Sequence, residues 1–229
     1  MRLPLLILLA SLPGAVIAGA WPRTQGETYV LVSHDGGEDG WTGLYLEHGG
    51  PRDLTFGLDV GGHVAGGVAA LRRGDVADMA ADGRAIAFVR LPLPYGRAPD
   101  GPWRMALELG AGADFDVDSA DREAEARGRL GLSVGRGFES PWGGGWLNVD
   151  LRVEPGGDET RFGLAAVTGL RPMDRLTVSM GVFAEREDDD AVTLAPTLGY
   201  EVPYLGEVQV GGRFSEGEER VVVGIARTF

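Results

Sequence analysis

Three histidines, His34, His48 and His63, and no cysteine set narrow limits on nucleophilic, thiolate and metal chemistry in this 229-residue chain. The run that most resembles a reactive constellation is Ser33-His34-Asp35. Nucleophilic catalysis needs a base within hydrogen-bond reach of the hydroxyl and a third group to orient it. Successive residues of an extended strand point to opposite faces, so Ser33 and His34 do not meet there. No strand-to-helix elbow presents a nucleophile elsewhere. No catalytic residue is assigned. His48 reads as plain surface at a turn.

Metal chemistry fares little better. Asp114, Asp116 and Asp118 alternate in "DFDVDSADRE", and carboxylate oxygens on a loop suit Ca²⁺. An EF-hand loop starting at Asp114 needs glycine sixth and glutamate twelfth; Glu125 fits but Ser119 does not. The run reads as a solvated acidic loop, with cation bridging to lipopolysaccharide as the alternative. No metal or cofactor is assigned.

A more coherent set is spread along the chain. Glu47, Asp59, Arg104, Glu108, Arg129, Asp150, Arg152, Glu201, Glu207 and Arg213 all fall on one face of alternating segments. Two readings stay open for them. Mixed charges in a narrow barrel pair and fill the interior. A charged ring also tunes ion passage. The acidic excess in this set favours cations.

Such placement demands strands. "LTVSMGVFA" sets Leu176, Val178, Met180 and Val182 against Thr177, Ser179, Gly181 and Phe183. "VTLAPTLGYEV" and "GEVQVGGRFS" alternate in the same way. Period-two patterning over about ten residues marks half-buried strands. The spacing predicts strands at 27–33, 40–48, 53–63, 84–92, 102–114, 123–136, 145–154, 160–170, 175–185, 191–202, 205–215 and 219–229. Two hidden strands in 64–83 would raise the count to about fourteen; merging the weak early strands would lower it to about ten. That long stretch otherwise suits a loop with a short helix.

Two kinds of connector take turns. Acidic ones lie at 34–40, 114–125, 154–160, 185–190 and 215–220, and turn-like ones at 49–53, 93–101, 137–145, 171–174 and 203–206. Outer-membrane barrels place short turns on the periplasmic side and longer loops outside. The even strand number then puts both termini in the periplasm. Trp103, Phe138, Trp142, Tyr200, Tyr204 and Phe229 map to the turn-side rim, while Phe115, Phe162 and Phe214 map to the other. Aromatic side chains favour membrane interfaces.

Residues 1–20 read as a signal peptide. Arg2 precedes the apolar "LPLLILLASL", and Ala18-Gly19-Ala20 is a small-residue cleavage motif. The domain is then 21–229. A formal net charge of −13 opposes a nucleic-acid partner. All 21 basic residues are arginine, whose planar forks suit paired carboxylates.

The export signal, the alternating strands and a terminal Phe229 preceded by Ile225, Val223 and Val221 resemble Gram-negative outer-membrane β-barrel proteins. In that family the terminal strand is read by the barrel-assembly machinery, which makes those four residues the implied assembly signal. Arg227 departs from the pattern, where an apolar or aromatic residue is commoner. "AWPRTQGETYV" and "RDLTFGLDVGG" are similar to small alphaproteobacterial barrel proteins that carry no known activity. The expected fold is all-β, an antiparallel transmembrane up-and-down barrel of about twelve strands. The expected role is an outer-membrane protein in contact with lipid and lipopolysaccharide, structural or a narrow, weakly cation-preferring pore, and not an enzyme. A membrane-embedded lipid hydrolase and an exported soluble β-protein are the alternatives.

Overall fold

A computed structural model describes residues 19–36, 40–63, 83–94, 103–115, 124–156, 160–186 and 190–229. Among these residues twelve strands form: β1 Thr28–Asp35, β2 Trp41–Gly49, β3 Thr55–His63, β4 Gly83–Pro92, β5 Trp103–Phe115, β6 Ala124–Ser140, β7 Gly143–Glu154, β8 Arg161–Met173, β9 Leu176–Arg186, β10 Asp190–Val202, β11 Gly206–Ser215 and β12 Glu218–Thr228. Each pairs antiparallel with its sequence neighbours, and β1 closes on β12. Val32 faces Ile225 across that seam, and Thr28 and Phe229 exchange backbone hydrogen bonds of 3.1 and 2.8 Å. Closure leaves no unpaired edge, which a strand-built protein needs inside lipid.

The observed strands follow the expected positions within a few residues. β6 and β7 run further at the turn side, where Ser140 and Gly143 pair around a tight hairpin. Ser140 Oγ fastens it, donating to the Gly143 carbonyl and accepting from the Trp142 amide. The 64–83 segment, with its suggested helix, lies outside the described residues except Gly83, which opens β4. The strand ends that flank the turn-like connectors gather at one end of the barrel, where β1 begins and β12 finishes, and those that flank the acidic connectors gather at the other.

Inside and outside are inverted relative to a soluble protein. Outward Leu198, Val210 and Val221 are 56%, 51% and 62% exposed, while inward Glu47 and Arg90 are 0% and 2% exposed. Leaving one large apolar side chain in water forfeits roughly 1.5–3 kcal/mol, so a continuous belt of them requires an apolar solvent. This excludes the soluble-sandwich alternative, whose apolar face would be covered. The aromatics assigned to the turn-side rim, from Trp103 to Phe229, are all exposed. Arg227 faces outward as well. Its guanidinium donates to the Tyr204 carbonyl at 2.8 Å and lies 4.6 Å from the Phe229 ring. An arginine is accommodated there because its head reaches the polar rim.

Candidate functional site: the lumen

The interior of β1–β7 is a network of arginines and carboxylates. It begins at Glu47, inward on β2. Glu47 accepts from Arg23, from Arg90 at 2.5 Å and from the Tyr45 hydroxyl at 2.7 Å. Arg90, on β4, also donates to Glu108 at 2.7 Å and to the Tyr45 oxygen at 3.1 Å, with its guanidinium 5.3 Å from the Phe88 ring. Arg129, on β6, reaches Glu154 at 2.6 Å, Asp59 at 2.8 Å and Glu108 at 3.8 Å. Arg84 approaches Asp59 at 3.3 Å. Nearer the loop end, Asp114 takes Arg127 at 2.6 Å and Arg161 at 2.8 Å.

Local sequence makes room for these groups. Glu47 lies opposite Gly57, and Glu108 opposite Gly131. A Cβ on Gly57 would collide with the Phe88 ring, and one on Gly131 would lie 3.1 Å from the Glu108 Cβ. Alternating charged residues with glycine across neighbouring strands lets several guanidinium planes fit one narrow barrel. A buried ion must be paired and hydrogen-bonded to offset its lost hydration. Glu47, Asp59, Arg90, Glu108, Asp114 and Arg129 each meet it with two or more partners, while the Nε atoms of Arg84 and Arg90 are buried without a hydrogen-bond partner among the described residues.

The opposite interior is bare by comparison. Inward positions along most of its length are Gly163, Ala165, Val167 and Gly169 on β8, Thr177, Ser179 and Gly181 on β9, and Ala195, Thr197 and Gly199 on β10; larger groups, Arg161, Phe183 and Glu185, come only toward the loop end. Glu207 on β11 stands at its edge, accepting from Thr177 at 2.9 Å and from Gln209 at 2.7 Å. Between the walls lies a cavity of about 650 Å³. Asp59, Arg84, Asp150, Arg152 and Glu154 line one side, and Ser179, Thr197 and Gly199 line the other, with Arg161, Glu185 and Arg186 toward its loop end.

Of the ten charges expected inside, Glu47, Asp59, Glu108 and Arg129 come together in the network. Asp150 accepts from Ser133 and Asn148, both at 2.5 Å, and Arg152 lines the cavity beside it. Glu207 stands at the cavity edge, and the other three lie toward the rims. Glu201 is exposed at the turn end. Arg104 donates to the Trp103 carbonyl at 3.4 Å. Half-exposed Arg213 pairs with buried Asp35 at 2.7 Å near the loop end. Sequence reasoning missed Arg23, Arg84, Arg90, Arg127, Asp114, Glu154 and Tyr45. In "RAIAFVR" both faces carry apolar residues, so parity gave no direction. The even spacing from Arg84 to Arg90 was the available signal.

The reactive-looking residues do not converge. His34 is bonded to Thr42 at 2.9 Å, while Asp35, next in sequence, is committed to Arg213. His48 is held by Thr28 at 2.8 Å, and His63 packs edge-on against Trp41. One Gly-x-Ser-x-Gly run does occur, Gly131–Gly135. It lies within β6 instead of at a strand-to-helix elbow, and Ser133 donates to Asp150. Among the described residues no three His, Asp or Glu side chains gather as metal ligands. Asp116 and Asp118 of the loop considered for Ca²⁺ lie outside them.

Two solved structures share this fold: KdgM porin, and KdgM porin in complex with disordered oligogalacturonate. Each aligns over 88% of this chain and 99% of its own, at a TM-score of 0.62 and 11% identity. The fold is that of a porin barrel. No protein-family model matches the chain, and no curated protein matches it. The likeness is therefore one of architecture, and the lumen chemistry must be read from this chain's own residues.

Proposed function

We propose that this barrel sits in the outer membrane as a narrow, non-enzymatic pore with a weak preference for small cations. The observation that carries the reading is the cavity's lining. Asp59, Asp150, Glu154, Glu185 and Glu207 face it against Arg84, Arg152, Arg161 and Arg186. That is five carboxylates to four guanidinium groups. A small negative excess in a confined, low-dielectric passage concentrates cations and repels anions. Reversal potentials in planar bilayers under a salt gradient test it. Mild cation preference that fades as salt screens the lining is expected; anion preference overturns it.

A second reading rests on Arg152. Among the described residues no hydrogen bond holds its guanidinium, which lines the cavity within the field of Glu108 and Asp150. A solute carboxylate would complete it, and the KdgM neighbour is described with an acidic oligosaccharide, oligogalacturonate. Inhibition of the current by a carboxylated sugar, lost in Arg152→Gln, would favour this reading over the first.

We infer the remaining parts along with it. The apolar belt contacts lipid, and the acidic loops face lipopolysaccharide outside, with both termini periplasmic. A leader ending at Ala20 directs export. The start "AWPRTQGETYV" and "RDLTFGLDVGG" support kinship with alphaproteobacterial barrels. Phe229, Ile225, Val223 and Val221 form the strand read by the barrel-assembly machinery. Deleting Phe229 lowers surface levels far more than it lowers the stability of refolded barrel; unchanged surface levels would refute that role.

A further inference from the structure

The segment preceding β1 runs inside the barrel instead of away from it. Trp21 lays its ring over inward Gly135 of β6, where a Cβ would fall 2.3 Å from the ring. Two residues on, the Arg23 amide donates to Thr55 Oγ1 of β3 at 3.0 Å, and its buried guanidinium pairs with Glu47 of β2. The same guanidinium stacks 4.4 Å from the Tyr29 ring of β1. Gly26 and Glu27 then exchange backbone hydrogen bonds with Gly49 at 2.8 and 2.9 Å, joining the end of β2. In a ring of twelve strands, β6 and β1 lie nearly opposite each other. The segment therefore crosses the lumen close to its full width, at the turn end.

We propose that residues 21–27 form a strap that gates this pore, latched by Arg23 on Glu47. The inference rests on the pore reading above. Three features suit a releasable latch. Among the described residues, Arg23 is the one partner of Glu47 that does not come from a barrel strand. Its departure leaves Glu47 paired with Arg90 and Tyr45, so the barrel keeps a satisfied carboxylate. The small residue beneath Trp21 gives the far anchor a seat without a covalent tie. With the leader removed after Ala20, the strap starts at Trp21 with a free end.

The test compares purified wild-type protein, Arg23→Ala and Trp21→Gly. Arg23→Ala unlatches one end, and Trp21→Gly frees the other without touching Glu47. Single-channel conductance is expected to rise about twofold or more in both. A second readout does not depend on current. The chain has no cysteine, and Thr55 is fully buried beneath the Arg23 amide. In Thr55→Cys protein a water-soluble thiol reagent is expected to react roughly tenfold faster once Arg23→Ala is added. Equal labelling rates show that the strap does not cover the site and overturn the proposal. Slow labelling that Arg23→Ala accelerates, with wild-type conductance unchanged by either strap variant, shows a strap that does not gate and overturns it as well. No current from any variant refutes the pore reading, and the gate with it.

Discussion

The two sides of the lumen are built from the same strand alternation and do opposite things. Along β2–β7 the inward positions carry Glu47, Asp59, Arg90, Glu108 and Arg129, each tied to two or more partners, and Glu154, tied to Arg129. Along β8–β10 they carry mostly glycine, alanine, serine and threonine. The first wall fills its half with ion pairs; the second leaves the space that becomes the cavity. A barrel of intermediate width can thus be rigid and still hollow, provided the filling is confined to one side. The glycines opposite Glu47 and Glu108 belong to the packing of the charged wall, while Gly163, Gly181 and Gly199 shape the empty one.

Removing a charge from the filled wall should have the largest effect. Glu47→Ala leaves Arg90 with one carboxylate and Arg23 without its β2 partner, and removing one side of a buried pair costs about 3–5 kcal/mol. Thr197→Ala, on the bare wall, should cost no more than about 0.5–1 kcal/mol. Urea unfolding of refolded barrel measures both, and equal losses would erase the distinction between the walls.

The outer face supplies a second, intermediate contrast. Leu198→Arg and Val210→Arg should each destabilise by roughly 2–4 kcal/mol where they meet lipid near the midplane. Gln209→Arg, one step away and facing the lumen, should be milder. Equal damage from all three in the same unfolding experiment would contradict the inside–outside assignment.

The smallest effect is expected at the rim. Arg220 and Glu218 pair at 2.7 Å where water reaches both. A double-mutant cycle there should return no more than about 0–1 kcal/mol, and less at high salt. A coupling as large as that at Glu47 would mean that burial does not set the strength of these pairs.

Much of this was legible in the sequence for a physical reason. Lipid requires an apolar outer face on every strand, so period-two patterning is enforced twelve times. "LTVSMGVFA" and "VTLAPTLGYEV" each show it without ambiguity. β4 was located, but its faces were not, because Ile86 and Phe88 point inward among arginines while Ala85, Ala87 and Val89 point out. Partner choice was not legible either. Alternation places Glu47 and Glu108 inside, yet that both share Arg90 depends on strand register and on the reach of a long side chain. Arg23 was invisible because it precedes the first strand, and no periodic rule covers a segment that folds back into the lumen.

The central claim is that passage runs along the bare wall. Single cysteines in this cysteine-free chain test it directly. Thr197→Cys and Ser179→Cys should react with a charged, water-soluble thiol reagent added during bilayer recording, and each modification should cut single-channel conductance stepwise. Leu198→Cys, facing lipid, should neither react nor change the current. Full modification at Thr197 and Ser179 with unchanged conductance would contradict the account.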